Sequence, residues 1–130
     1  MKKATLDDLL ARKSQAMQAR MIIKQIDVPL LGMSLTVEKL PLSRVLGLID
    51  KYNGDDSLSG KFELYKELIY LSCPMLQNKE LQEAYEVADP LDIITVLLEQ
   101  NLGAITKIGD EISEMYGLSD PNKTVDDLKN

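Results

Sequence analysis

The segment from Phe62 to Asn101, FELYKELIYLSCPMLQNKELQEAYEVADPLDIITVLLEQN, constrains the fold more than any other part of the chain. Its apolar residues recur at helical spacing and are interrupted twice, which reads as three helices. In the first, Lys61 to Cys73, the residues Phe62, Leu64, Tyr65, Leu68, Ile69, Tyr70 and Leu71 cover nearly every face, the pattern of a central buried helix. Cys73-Pro74 closes it, because proline disfavours helical geometry in the residue before it. Asn78 then caps a short helix through Leu81, Ala84 and Tyr85. Asp89-Pro90 opens the third, with aspartate as cap and proline at the first helical position, where a missing N–H is harmless. From Leu91 apolar residues recur at Ile94, Leu98, Leu102, Ile105, Ile108, Ile112 and Met115. This spacing suits one long helix or two nearly collinear ones. Gly103 and Gly109 weaken a continuous helix and favour a break near Asn101-Leu102-Gly103. Gly117 is the expected C-terminal stop.

Upstream the texture differs. Thr5 followed by Leu6-Asp7-Asp8 starts a helix, since its hydroxyl can cap free N–H groups and the acids suit the positive end of the macrodipole. That helix runs through Leu9, Leu10, Ala16 and Met17 to about Arg20, with an apolar face thin enough to leave it loosely docked. Next, Ile22, Lys24, Ile26 and Val28 alternate with Ile23, Gln25 and Asp27. After Pro29-Leu30-Leu31-Gly32, the run Met33 to Glu38 alternates as well, with Met33, Leu35 and Val37 on one face. Two period-2 runs joined by four residues containing Pro and Gly predict a β-hairpin. A lone hairpin is marginal in water, so that face must pack on helices or on another copy. Pro41 stops the strand, and Ser43 is placed to cap a helix carrying Val45, Leu46, Leu48 and Ile49. Asn53 to Ser57 is a solvated loop.

The expected fold is therefore mainly α, of the α+β kind: a compact bundle of five to six helices with one N-terminal β-hairpin. A basic helical arm spans 1–20 and a single globular domain spans 21–117, with the hairpin at about 21–38 and the helices at about 43–117. A polar tail follows over 118–130, with a final helical turn expected at Val125 to Leu128. At 130 residues the chain fits one domain, and its 45% apolar content supports a core without disulfides or metal. The single Cys73 excludes an intramolecular disulfide, and its apolar setting suits a buried, inert thiol.

Net charge is −6, which opposes general nucleic-acid binding. Residues 1–28 hold six basic and three acidic side chains, whereas residues 29–130 hold nine basic and eighteen acidic. A basic arm thus precedes an acidic body, and it can dock on its own domain, on a neighbouring copy, or remain a solvated helix. Met1 to Arg20 lacks the apolar stretch of a signal peptide, and no window approaches a membrane span, so a cytoplasmic protein without membrane association is expected.

No catalytic, cofactor-binding or metal site is expected. The chain has no histidine, the commonest general base and nitrogen ligand, and one cysteine cannot build a zinc site. No glycine-rich phosphate loop or nucleophile elbow occurs. The carboxylate pairs Asp55/Asp56, Asp110/Glu111 and Asp126/Asp127 fall where solvated surface acids belong. Partner-binding candidates are Leu30, Leu31, Met33 and Leu35. Two adjacent leucines cannot both bury easily in a hairpin tip, so the tip is either an exposed docking element or packed on a neighbouring helix. Of the six methionines, Met17, Met21, Met33, Met75 and Met115 sit near element ends or strand faces. They read as core filler or as an adaptable apolar lining.

Several segments resemble, in order, the XkdN-like family of phage tail assembly chaperones of tailed phages and defective prophages of Gram-positive bacteria. They are TLDDLLARKSQA, VPLLG with LTVEKLPLSRVL, ELYKELIYLSCPMLQNKEL and AYEVADPLDIITVLLEQNLG, covering approximately residues 5–117. The resemblance implies a protein of phage or prophage origin that acts in the host cytoplasm and is absent from the mature virion. Its implied task is to hold the tape measure protein, a long helical protein with apolar stripes, in solution until tail tube subunits polymerise around it. The partner set then extends to the tail tube protein and to further copies of this chain as a homo-oligomer, built through the hairpin or the Leu91–Met115 helices. In related tail chaperones a frameshifted product adds a second domain, and the polar ending at Asn130 suits the short form. The alternative is a minor structural tail component retained in the particle.

Overall fold

In the computed structural model, residues 1–19, 22–52 and 57–118 are described. The hairpin forms at the expected place: β1 (Ile23–Val28) pairs antiparallel with β2 (Met33–Glu38) from Ile23 opposite Glu38 to Val28 opposite Met33. The four-residue connection turns through a single 3₁₀ turn, Pro29–Leu31, and closes at Gly32, whose φ of 66° is a conformation that side chains resist. Alternation then sorts the two faces. Ile26, Val28, Leu35 and Val37 are buried, while Gln25 donates to Thr36 at 2.9 Å and Ser34 donates to Asp27 at 2.8 Å across the outer face.

Seven α-helices follow the chain among the described residues. They are α1 (Leu6–Ala11), α2 (Lys13–Ala19), α3 (Leu42–Lys51), α4 (Leu58–Ser72), α5 (Lys79–Ala84), α6 (Asp92–Leu97) and α7 (Leu102–Glu114). The expected bundle thus gains one helix, because the N-terminal helix splits at Arg12, whose N–H reaches back only to Leu9. The Thr5 capping box forms as its sequence suggests: the hydroxyl accepts from Asp8 N, and the Asp8 carboxylate accepts from Thr5 N. Neither α1 nor α2 buries a residue.

Helix α4 is the hub, packing against α3, α6, α7 and the 3₁₀ turn Pro74–Gln77. It begins one turn earlier than expected, because Ser57 caps it by accepting from Gly60 N. Leu64, Tyr65, Leu68 and Ile69 are buried, with Phe62, Tyr70 and Leu71 half-buried around them. At this level of burial each such side chain contributes about 1.5–3 kcal/mol. The buried Lys66 ammonium lies 3.1 Å from Glu63 and 4.0 Å from Asp92, tying α4 to the first turn of α6. Tyr52 and Lys51 both reach Glu67, joining the end of α3 to α4.

Two expected caps are displaced. Ser43 lies inside the first turn of α3; Pro41 holds the capping position, its carbonyl accepting from Arg44 N and Val45 N, with no side-chain cap. Asp89 accepts from Leu91 N, but the regular α6 starts only at Asp92. Asn78 does cap as read, accepting from Leu81 N, and Asn101, placed by the sequence only at the break, caps α7 by accepting from Ala104 N.

The long C-terminal apolar run breaks in two, as favoured, and Glu99 and Gln100 supply the break by adopting φ of 55° and 57°. Gln100 N bonds to Thr95 O while Glu99 N bonds to Val96 O. The same paired closure ends α5, with Val87 N on Gln82 O and Glu86 at φ 56°. It ends α7 as well, with Leu118 N on Ser113 O and Gly117 at φ 77°. In this motif a residue in the left-handed region lets the last carbonyls find donors. Only the third end uses the expected glycine.

Gly109 corrects a sequence expectation. It does not mark a weak point of α7; a β-carbon there would overlap the ring of Tyr65, so the absence of a side chain is what lets α7 approach α4. The Tyr65 hydroxyl donates to Asp110 at 2.5 Å across the same contact. The Asp110/Glu111 pair is accordingly half-buried and not freely solvated. Asp55, Asp56, Asp126 and Asp127 lie outside the described residues, as do Met21, the rest of the Asn53–Ser57 loop up to residue 56, and the tail from residue 119 with its expected Val125–Leu128 turn. Leu118, assigned to the polar tail, is half-buried beside Val45, Leu48, Leu64 and Leu68.

The glycines give a direct test by chemical denaturation. Gly109→Ala should lower stability by about 1–3 kcal/mol through overpacking against Tyr65. Gly47→Ala, in α3 with open space around the added methyl, should raise it by about 0.5–1 kcal/mol. Equal small gains at both positions would remove the Tyr65 contact from this account.

Candidate interaction surface

The tip of the hairpin separates the four partner-binding candidates. Leu30 is 36% exposed and Met33 is 63% exposed, Leu31 is half-buried against the core, and Leu35 is buried at 8%. The reason is register. Leu35 stands opposite Ile26 in the middle of the ladder, where the inner face rests on the helices. Met33 stands opposite Val28 on that same face, but at the end of the ladder, where its side chain overhangs the core. Only Leu30 and Met33 therefore present apolar surface, and Leu31 anchors the tip to the domain.

A second exposed thioether stands on a neighbouring element. The turn Pro74–Gln77 packs against β2, buries Leu76 and leaves Met75 67% exposed. Met17 is exposed on α2 and Met115 is half-buried, so among the described residues no methionine occupies the fully buried core. The core-filler reading of these residues therefore fails for Met17, Met33 and Met75. Methionine in water sacrifices apolar burial, yet its flexible, polarizable side chain adapts to partners of varied shape. Sequence periodicity did not single out Met75, because proline-led 3₁₀ turns lack a period long enough to show which side faces water.

A further apolar surface went unread. Leu42 and Leu46 are exposed on α3 at helical i, i+4 spacing, and Leu58 is exposed at the start of α4. Beside Leu42, a surface groove of about 560 Å³ is lined by Ala19, Lys39, Leu40, Pro41 and Leu42. Its floor is held by a hydrogen bond in which Leu40 N donates to the Tyr116 hydroxyl at 2.6 Å, and burial pushes that phenol's pKa up. The gap between α3, α4 and α7, lined by Val45, Leu48, Ile49 and Leu64, has a volume of about 10 Å³, too small for a ligand.

Cys73 lies buried at the end of α4, where desolvation pushes its thiol up to about 12. The thiolate is the reactive form, so the residue is chemically quiet in the folded state. Among the described residues, no three His, Cys, Asp or Glu side chains converge as metal ligands, and no helix is long and apolar enough to cross a membrane. The surface offers contact area to a partner through Leu30, Met33 and Met75.

Comparison with family models, with curated proteins and with solved structures finds no match to this chain.

The register argument separates two neighbouring positions on one strand. Met33→Asp should leave thermal stability within about 0.5 kcal/mol of the parent. Leu35→Ala should lower it by about 2–5 kcal/mol, because it empties a packed site. Comparable losses at both positions in thermal melts would show that Met33 is buried.

Proposed function

We propose that this chain is a non-enzymatic, ATP-independent tail assembly chaperone that binds the tape measure protein of a tailed phage or prophage in the host cytoplasm. The observation that carries the reading is the exposure of Leu30 and Met33 at the hairpin tip and of Met75 on the adjoining turn. These side chains fit a long helical partner whose apolar stripes vary along its length, since thioethers repack against different shapes. The family resemblance of the ordered segments between residues 5 and 117 supplies the identity of that partner.

The mechanism follows from weak, repeated contact. An unassembled tape measure protein presents apolar stripes at high local concentration, and coverage by many small acidic copies keeps it from aggregating. Individual contacts need not be strong when several copies act along one chain. The tail tube protein then displaces them by competing for the same stripes, so release needs no nucleotide.

Co-expression with the tape measure protein encoded nearby tests the reading. The chain should increase the soluble fraction of that protein and co-purify with it, and Met33→Asp combined with Met75→Asp should abolish co-purification while the helical circular dichroism stays intact. Failure to solubilise it, with the chain recovered instead from assembled tails, would replace the chaperone by a minor structural tail component.

A further inference from the structure

We propose that the N-terminal arm of one copy docks on the α5 face of a second copy of this chain. The arm is folded, yet the leucines of α1 are exposed. Its capping box and the 3.0 Å ion pair between Lys2 and Asp8 shape α1, but Leu6, Leu9 and Leu10 remain exposed. Leu6, Leu9 and Leu10 fall on one side at i, i+3 and i+4. Helices of six and seven residues are marginal in water by themselves, so a surface that receives this apolar side is what would stabilise them.

Charge selects the seat. Residues 1–19 carry four basic and two acidic side chains, and Lys2 already engages Asp8. Lys3 and Lys13 make no ion pair among the described residues. On the other side, residues 79–92 hold five acids against the single base Lys79. Glu80, Glu83 and Glu86 are exposed and likewise make no ion pair among the described residues. Apolar surface lies among these acids: Tyr85 is exposed, Leu81 one turn before it is half-buried, and Met75 is exposed on the turn packed against α5. A shallow depression lined by Asn78, Glu80, Leu81 and Ala84 runs along the same helix.

The groove beside Leu42 is the competing seat. It carries Lys39 on its wall and Arg44 on the adjoining turn of α3, charges of the same sign as the arm, and part of its lining is already Ala19 of the arm's own helix α2. The arm's own domain leaves its leucines uncovered, so the occupant comes from a second copy. Reciprocal exchange closes a two-fold dimer; one-way exchange propagates a chain of copies.

Sedimentation of the full chain, tagged only at its C terminus, tests this. The parent should sediment above monomer mass and dissociate as salt rises, since screening weakens exposed charge pairs. Lys3→Glu with Lys13→Glu, and separately Glu80→Lys with Glu83→Lys, should each weaken self-association by about tenfold or more. An equimolar mixture of these two variants should associate again, because each arm now faces an α5 of opposite sign. Leu9→Asp with Leu10→Asp should give monomer with unchanged ellipticity from the body. A monomeric parent, an oligomer indifferent to both reversals, or a mixture that stays monomeric would each overturn the assignment.

Discussion

The approach of α7 to α4 at Gly109 governs where the other elements can sit. Because residue 109 has no β-carbon, the Tyr65 ring occupies the space such an atom would need, and the ring's hydroxyl is held by Asp110 one position on. At this spacing Ile105, Ile108 and Ile112 enter the same core as Leu64, Leu68 and Ile69. The position of α7 in turn supports the hairpin, since β1 packs on it and Tyr116 just beyond its end accepts from Leu40 N at the exit of β2. Interiors packed at crystal-like density transmit such displacements instead of absorbing them. One missing methyl group thus positions both a helix and a sheet.

What the fold leaves uncovered is as ordered as what it buries. The outer face of the hairpin carries side-chain hydrogen bonds between Gln25 and Thr36 and between Asp27 and Ser34, with Ile23 exposed at its open end. Further apolar exposure lies at the tip and the adjoining turn, on the arm, and along Leu42 and Leu46. Isolated exposed leucines are ordinary on a protein surface, but repeated exposure at element ends is how adaptable binding surfaces are built. The proposed chaperone activity uses the tip and Met75, and the proposed self-association seats the arm on α5 beside that same Met75, so the two surfaces adjoin there.

Much of this architecture was legible from residue pattern because the physics is local. Alternation from Ile22 to Glu38 fixes which hairpin residues point inward, and the proline of Cys73-Pro74 ends α4 whatever surrounds it. The cap at Asn78 depends only on the next three residues. What escaped was non-local. Nothing within α7 signals that Gly109 faces an aromatic ring 44 positions earlier in the chain. Glu86, Glu99 and Gln100 were unreadable as left-handed residues because their side chains do not prefer that geometry; the closing hydrogen bonds impose it. Met33 and Leu35 were separated by position along a ladder, which strand periodicity does not encode. Leu35 and Met33 share a face, and only the position of the helices beneath tells them apart.

The placement of the methionines bears on how the molecule ages. Met33 and Met75 lie open to solvent, whereas the one thiol is sealed in the core. Oxidants therefore meet thioethers first, and conversion to the sulfoxide turns a flexible apolar side chain into a polar, chiral one. Because neither residue supports the core, that chemistry would spare the fold and remove the apolar surface that the proposed chaperone activity uses. The chain would persist as an intact domain, and the proposed binding would track its exposure to oxidants and not its thermal stability.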